Sequence, residues 1–303
     1  MTTPLPLSLA GRDLLRIGDL VPAEAEAILD LATELKGDRR PLAPGATLGL
    51  YFSRHSTRTR VSFSVAIAHL GGVAIPLTPE ELQLSRGESL PDTARALSRY
   101  LDVLAVRTHD HAELEEWAQW ATIPVVNALT ADEHPCQALA DALTMRDRLG
   151  SLEGARVAWV GDGSNVLVSL AELGRLLGYD VVAACPNGYE PGKGLRNSLL
   201  LTVLEDPREA VRGADVVVTD TWISMGQEHE RGARLRDLEP YRLDETLLAL
   251  AAPDAFVMHC LPAHPGEEID ADVLYGPRSA IWDEAENRLH VQKALLALLL
   301  GVA

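Results

Sequence analysis

Cysteine is scarce in this chain: Cys136, Cys185 and Cys260 are the only three, and none forms a CxxC pair. An odd count without that spacing excludes a disulfide framework, so the thiols read as reduced and a cytoplasmic location is expected. Cations are also in deficit, with 27 Lys plus Arg against 44 Asp plus Glu and a formal net charge of -17. That balance excludes a general affinity for nucleic acid or for an anionic membrane, and an anionic small substrate then requires a local pocket of cations. No apolar stretch reaches the length of a membrane span, and the closing LLALLLGVA reads as the end of a buried helix. The first residues, MTTPLPLSLAGRDLL, lack a basic region followed by a sustained apolar one, so no secretory leader is expected. Neither a repeat of fixed period nor a low-complexity segment interrupts the chain.

What is abundant is apolar sequence. Of 303 residues, 47% are hydrophobic and 23% charged, which suffices for a large core and exceeds the common size of one domain, so two domains are expected. Runs rich in Val, Leu and Ile alternate with helical patterns, as in parallel sheets with helices on both faces. The fold class read from this is α/β. One half comprises a helix over 22–35, strands over 47–52, 73–77, 103–107 and 123–128, and helices starting at Thr57, Glu88 and His111. A second half comprises strands over 156–160, 180–185, 200–204, 215–219, 256–260 and 279–282. Between the halves a helix runs over 135–149, with proline at its start and glycine just past its end. The last helix, 285–300, has the length to fold back across either half.

Ligands of open α/β sheets sit outside the carboxyl ends of the strands. FSRHSTRTR, residues 52–60, follows a strand and opens a helix, offering free backbone N–H groups, hydroxyls and arginines: an anion site, or a helix capped by Ser56 with solvated arginines. Arg107 closes the run VLAVR, either as a second cation for the same anion or as a surface residue leaving the sheet. His134-Pro135-Cys136-Gln137 brings an imidazole and a carboxamide to the start of the linking helix, where they suit a carbonyl or serve only as helix punctuation. GDGSNV, residues 161–166, follows RVAWV, but Val166 stands where a dinucleotide fingerprint needs its third glycine; what is left is a tight turn presenting Asn165. DTWISMG, residues 220–226, puts a carboxylate able to hold an ammonium group directly after DVVVT; Asp220 as a simple cap is the alternative. HCLP, residues 259–262, puts a thiol at another strand end, inert if buried among apolar groups and reactive beside cations. Arg288 is one more cation beside the acidic start of the last helix.

In this order and spacing the motifs resemble the aspartate/ornithine carbamoyltransferase family, over Gly11 to about Leu300. STRTR and HPCQ are similar to the family's carbamoyl phosphate signatures, and DTWISMG and HCLP to its ornithine branch. The resemblance implies two doubly wound parallel-sheet domains joined by interdomain helices. The first, 1–135, would bind carbamoyl phosphate, with 286–303 packing back on it, and the second, 136–285, would bind ornithine. The implied activity moves the carbamoyl group of carbamoyl phosphate to the δ-amine of ornithine, giving citrulline and phosphate.

By the same resemblance Ser56, Thr57, Arg58, Thr59 and Arg107 bind the phosphate, and His134, Gln137, Arg288, Cys260 and Leu261 hold the carbamoyl group. Arg58, Arg107, His134 and Cys260 are the implied catalytic set. Gln83 matches a residue that reaches the phosphate of a neighbouring subunit, implying a trimer or a multiple of trimers. Asn165, Asp220, Ser224 and Met225 would bind ornithine. Val168 departs from a polar residue common in the family. No metal and no cofactor are expected. As the amine attacks, Arg58, His134 and the Thr59 hydroxyl would stabilise the oxyanion, and Asp220, Cys260 or the leaving phosphate would take the amine proton. The two halves are expected to close over the substrates, with the Ser224–Gly226 stretch moving over ornithine.

Overall fold

The computed structural model describes residues 9–54, 56–199, 201–223 and 227–303. They form two compact units, Met1–Leu143 with Asn287–Ala303, and Thr144–Glu286. The change of unit expected at 135 lies eight residues further on, inside the linking helix.

In the first unit, α1 (Pro22–Glu34) precedes β1 (Thr47–Phe52), α2 (Arg58–His69), β2 (Val73–Leu77), α3 (Leu90–Leu97), β3 (Val103–Arg107), α4 (His111–Trp120) and β4 (Val125–Leu129). The four strands pair in parallel in the order β2-β1-β3-β4. After β1 the chain builds outward to β2, then crosses to β3 on the other side, so the switch point lies between β1 and β3. The central strands are continuous apolar runs because helices cover both faces: Leu48, Leu50, Val103 and Ala105 have essentially no exposed surface. Trp117 of α4 packs on Tyr51 with ring centroids 5.0 Å apart. Local chemistry sets the helix starts: Pro22 occupies the first turn of α1, and Asp110 accepts the Ala112 N–H at 2.9 Å to cap α4.

The chain leaves this unit within α5 (Pro135–Leu149), the linking helix at its expected bounds. The second unit then runs β5 (Arg156–Val160), α6 (Asn165–Leu177), β6 (Asp180–Ala184), α7 (Lys193–Leu199), β7 (Thr202–Leu204), α8 (Pro207–Val211), β8 (Val216–Thr219), α9 (Arg231–Leu238), α10 (Glu245–Leu248), β9 (Phe256–His259) and α11 (Ala271–Leu274). Its sheet is again wholly parallel, in the order β7-β6-β5-β8-β9, with the switch point between β5 and β8. The strand expected over 279–282 is not formed; Ser279 makes a single bridge to Val257, and α12 (Ile281–Leu299) starts at once. Asp283 and Glu284 in its first turn favour a helix start over a strand. The strand expected over 123–128 is shifted to Val125–Leu129, and residue 200 of the strand expected over 200–204 lies outside the described residues.

From Asn287 onward α12 belongs to the first unit. Lys293 is 1% exposed, and its Nζ donates to the carbonyls of Leu35 and Asp38, just past the end of α1, where helix carbonyls lack intrahelical partners. The Gly11 N–H donates to the Leu299 carbonyl at 3.0 Å. No helix of the described residues is long and apolar enough to cross a membrane. Replacing Lys293 by Met removes a donor from two carbonyls, of which Leu35 keeps the Asp38 N–H at 3.0 Å, and is expected to cost about 1–3 kcal/mol. Thermal unfolding of Lys293→Met against the parent chain measures it.

Candidate active site

The carboxyl ends of β1 and β3 lie side by side: Phe52 pairs with Arg107, and the Ser53 N–H donates to the Arg107 carbonyl at 3.0 Å. The pairing of β3 with β4 shifts register between Val106 and Arg107, so the strand becomes irregular where the guanidinium leaves it. Arg107 Nη1 donates to Thr59 Oγ1 at 3.4 Å. Thr59, 1% exposed in the first turn of α2, also accepts from Arg288 Nη2 at 2.6 Å. Arg288 reaches it from α12, and its Nη1 donates to Gln137 Oε1, while Gln137 Nε2 donates to Asp141 Oδ1 at 2.8 Å along α5. Three segments remote in sequence thus place two guanidinium groups on one hydroxyl at the start of a helix, where backbone N–H groups also favour negative charge.

The cap of α2 is Thr57 and not Ser56, and its side chain makes no capping hydrogen bond. Ser56 is half-buried, while Thr57 and Arg58 are exposed; Arg58 takes no part in the hydrogen bonds that tie Thr59, Arg107, Arg288 and Gln137 together. Gln83 is exposed at the start of the turn Gln83–Arg86 and likewise stays out of that set. His134 is buried, and its carbonyl accepts the Gln137 N–H at 3.0 Å as α5 begins. Asp141 and the hydrogen-bonding role of Gln137 toward Arg288 carried no sequence signal beyond their helical spacing.

In the second unit the loops after β5 and β8 meet at Asp220, which is 6% exposed. Its Oδ2 accepts from Ser164 Oγ at 3.2 Å, and its Oδ1 accepts from the Thr221 N–H at 2.7 Å and from Cys260 Sγ at 3.0 Å. Ser164 also accepts the Val166 N–H and caps α6, so Asn165 is the first residue of that helix, one position from Asp220's partner. Val168 is 7% exposed within the buried face of α6, a packing position that accounts for an apolar residue there. Gly163 has a reason of its own: a Cβ there would stand 2.4 Å from Pro191 Cδ and 2.6 Å from the Tyr189 carbonyl, so close packing against the chain requires glycine at this position. Ser224 and Met225 lie outside the described residues.

Sequence reading missed Arg234, which is 5% exposed, donates to the Trp222 carbonyl at 2.5 Å and pairs with Asp162, joining the loops after β5 and β8. As one of three arginines within the polar run RGARLRDL, Arg234 gives no local hint of that role. Among the described residues, two groups of side chains have metal-ligand composition, Asp220 with His259 and Cys260, and His264 with Glu267 and Glu268. His259 Nδ1 accepts the Leu261 N–H at 2.9 Å, and its Nε2 stands 3.1 Å from Glu268 Oε1.

Burial, with Arg288 and Arg107 adding to it, holds the His134 imidazole well below its usual range, so at neutral pH it is a neutral hydrogen-bonding group. Burial pushes the Asp162 carboxyl up to about 6 against the pull of Arg234, with Asp220 raising it further. Burial likewise pushes the thiols of Cys136 and Cys185 up to about 12, far from thiolate character. Because folding depresses the His134 value, its contribution is present above the unfolded value near 6.5 and is lost as pH falls through and below it. Unfolding midpoints of the parent should therefore drop between about pH 7 and pH 5, and His134→Asn should show a shallower drop; part of the slope remains, since His111 is shifted the same way by burial.

The sequence matches the family models described as "Aspartate/ornithine carbamoyltransferase, carbamoyl-P binding domain" over residues 12–147 and "Aspartate/ornithine carbamoyltransferase, Asp/Orn binding domain" over residues 153–299. It is 53% identical over 302 residues to the ornithine carbamoyltransferase of Parasynechococcus marenigrum, covering 97% of this chain and 95% of that one. The corresponding figure for Pyrococcus abyssi is 48% over 309 residues, covering 97% and 98%. Among solved structures, the ornithine carbamoyltransferase from Pyrococcus furiosus superposes with a TM-score of 0.93 at 48% identity, covering 97% of this chain and 99% of that one. The one from Thermus thermophilus gives 0.89 at 43% identity, covering 95% and 98%. With both of its domain models matched in order along nearly the whole length, the chain belongs to the aspartate/ornithine carbamoyltransferase family.

Proposed function

We propose that this protein transfers the carbamoyl group of carbamoyl phosphate to the δ-amine of L-ornithine, releasing L-citrulline and phosphate. The observation that carries the reading is likeness along nearly the whole chain, at about half identity, to proteins named for this reaction. The two clusters support it by their opposite character. Arginines converging on Thr59 suit a phosphorylated donor, and a buried carboxylate held by Ser164, Thr221 and Cys260 suits an aminium group of the acceptor.

In this reading Ser56, Thr57, Arg58, Thr59 and Arg107 bind phosphate, with Gln83 supplied by a neighbouring chain. His134, Gln137, Arg288, Cys260 and Leu261 hold the carbamoyl group. Asn165, Asp220, Ser224 and Met225 hold ornithine. The unit that holds Thr59, Arg107 and Arg288 is the donor-binding domain, expected from sequence over 1–135 with 286–303, and the unit that holds Asp220 is the acceptor-binding domain, expected over 136–285. The neutral δ-amine attacks the carbamoyl carbon, and charge growing on the carbonyl oxygen is met by guanidinium groups and by neutral His134 as a donor. Phosphate then departs into charges already in place. Asp220, engaged as an acceptor, suits the α-ammonium of ornithine, which leaves the departing phosphate and Cys260 as routes for the amine proton.

The reading extends to a cytoplasmic enzyme of arginine metabolism assembled as a homotrimer or a multiple of trimers. Two features support the assembly: β2 is an edge strand whose Val73 is 55% exposed and Ile75 39% exposed, and Val61 of α2 is 52% exposed. Exposed apolar groups on a sheet edge favour covering by another chain.

Citrulline formation from carbamoyl phosphate is the test, measured side by side with ornithine, putrescine, N-acetylornithine and aspartate. Ornithine is expected to give the highest kcat/KM; no citrulline at neutral to mildly alkaline pH would overturn the proposal, and faster turnover of another amine would reassign the acceptor. Arg58→Gly is expected to lower turnover by at least about a hundredfold with the fold retained, as circular dichroism would report; a near-parent rate would remove Arg58 from the phosphate set.

A further inference from the structure

The residues after β9, Cys260 and Leu261, both depend on the histidine before them. His259 Nδ1 accepts the Leu261 N–H at 2.9 Å. A backbone N–H can only donate, so Nδ1 carries no proton and the ring hydrogen sits on Nε2. Nε2 stands 3.1 Å from Glu268 Oε1 and donates to it. The same oxygen accepts the His264 N–H at 2.5 Å, and the His259 N–H donates to Glu284 Oε2 at 2.7 Å. Both His259 and Glu268 side chains are fully enclosed. The other oxygen of Glu268, Oε2, has no hydrogen-bond partner among the described residues. A buried carboxylate oxygen left unpaired is costly, so packing alone does not account for an acid at this position.

Leu261 has φ 59, the left-handed region that a branched residue enters only when its surroundings impose it. Its N–H bond to His259 is one such constraint. The neighbouring Cys260 is thereby set with its Sγ 3.0 Å from Asp220 Oδ1.

We propose that Glu268 and His259 are positioning residues for the transfer reaction: Glu268 selects the Nε2–H tautomer of His259, and that tautomer holds Leu261 and Cys260 in their orientation toward Asp220. The inference rests on the reading that Cys260, Leu261 and Asp220 face the substrates. Neither residue touches the reacting atoms in this scheme; both act through the chain they hold.

The tautomer is read directly by long-range 1H–15N correlation spectra of the full chain labelled with 15N-histidine, the His259 signals being assigned by their loss in His259→Asn. A neutral Nε2–H ring at neutral pH is expected; an Nδ1–H ring or an imidazolium overturns the proposal whatever the activity. Kinetics provide the second arm. His259→Asn puts an amide oxygen where Nδ1 accepts and is expected to keep kcat/KM for ornithine within about tenfold of the parent, whereas His259→Leu should lose about a hundredfold. Glu268→Gln keeps an acceptor and should stay near the parent, whereas Glu268→Leu should fall about as far as His259→Leu. Equal rates for His259→Asn and His259→Leu, or a parent-like Glu268→Leu, would overturn it. Should the leucine variants fail to fold, the tautomer and the retained rates of His259→Asn and Glu268→Gln decide. An inactive parent chain would sink the proposed function while leaving the tautomer result standing.

Discussion

Two guanidinium groups from distant parts of the chain, Arg107 and Arg288, converge on the hydroxyl of Thr59, and the first unit is arranged to bring them there. Like charges so placed repel one another, and an anion between them turns that cost into attraction. Arg107 arrives because β3 pairs with β1 up to its last residue and then slips register against β4. Arg288 arrives because α12 returns to the first unit from Asn287 onward, tied down by Lys293 on the carbonyls that follow α1. Neutral His134 sits under the same two charges, its imidazole held below its usual range chiefly by burial. A net charge of -17 makes this local concentration of cations a built feature and not a reflection of composition.

The second unit repeats the architecture with the opposite charge. Its strand order also switches sides, between β5 and β8, and the loops at that switch point meet on the Asp220 carboxylate. Parallel sheets concentrate strand ends and helix starts at such a point, which is why both clusters lie there. Arg234 binds the two loops together, and the Glu268–His259 pair fixes the third, after β9. The Asp220 cluster is therefore supported from two sides by fully or nearly buried ion-bearing groups, each costly to bury unless a partner is in place.

Much of this was legible because parallel strands buried on both faces read as unbroken apolar runs: β1, β3 and β5 occur at the bounds their residues indicate, and so does the exposed edge strand β2. Residues 279–282 failed for the complementary reason: a short apolar run is equally compatible with a buried helix start, and the acids that follow decide for helix. At the site, the loops after the strands stood out because hydroxyl, guanidinium and carboxylate groups cluster there. Glu268, Arg234, Asp141 and Lys293 were not legible, since each is one polar residue whose partner is set by tertiary packing; Lys293 meets a carbonyl 255 residues away. From its residues alone Arg288 showed as a cation near a helix start; the family resemblance grouped it with Gln137, and its hydrogen bonds to Thr59 and Gln137 emerged from the fold.

The account stands on the arginine pair as the seat of the phosphorylated donor. Calorimetric titration of the full chain with carbamoyl phosphate, in the absence of any amine acceptor, tests it most directly. Saturable binding is predicted, one molecule per chain, displaced by inorganic phosphate and weakened at least about tenfold, or about 1.4 kcal/mol, in Arg288→Met. Undiminished binding by a folded Arg288→Met, or no binding by the parent chain, would contradict it.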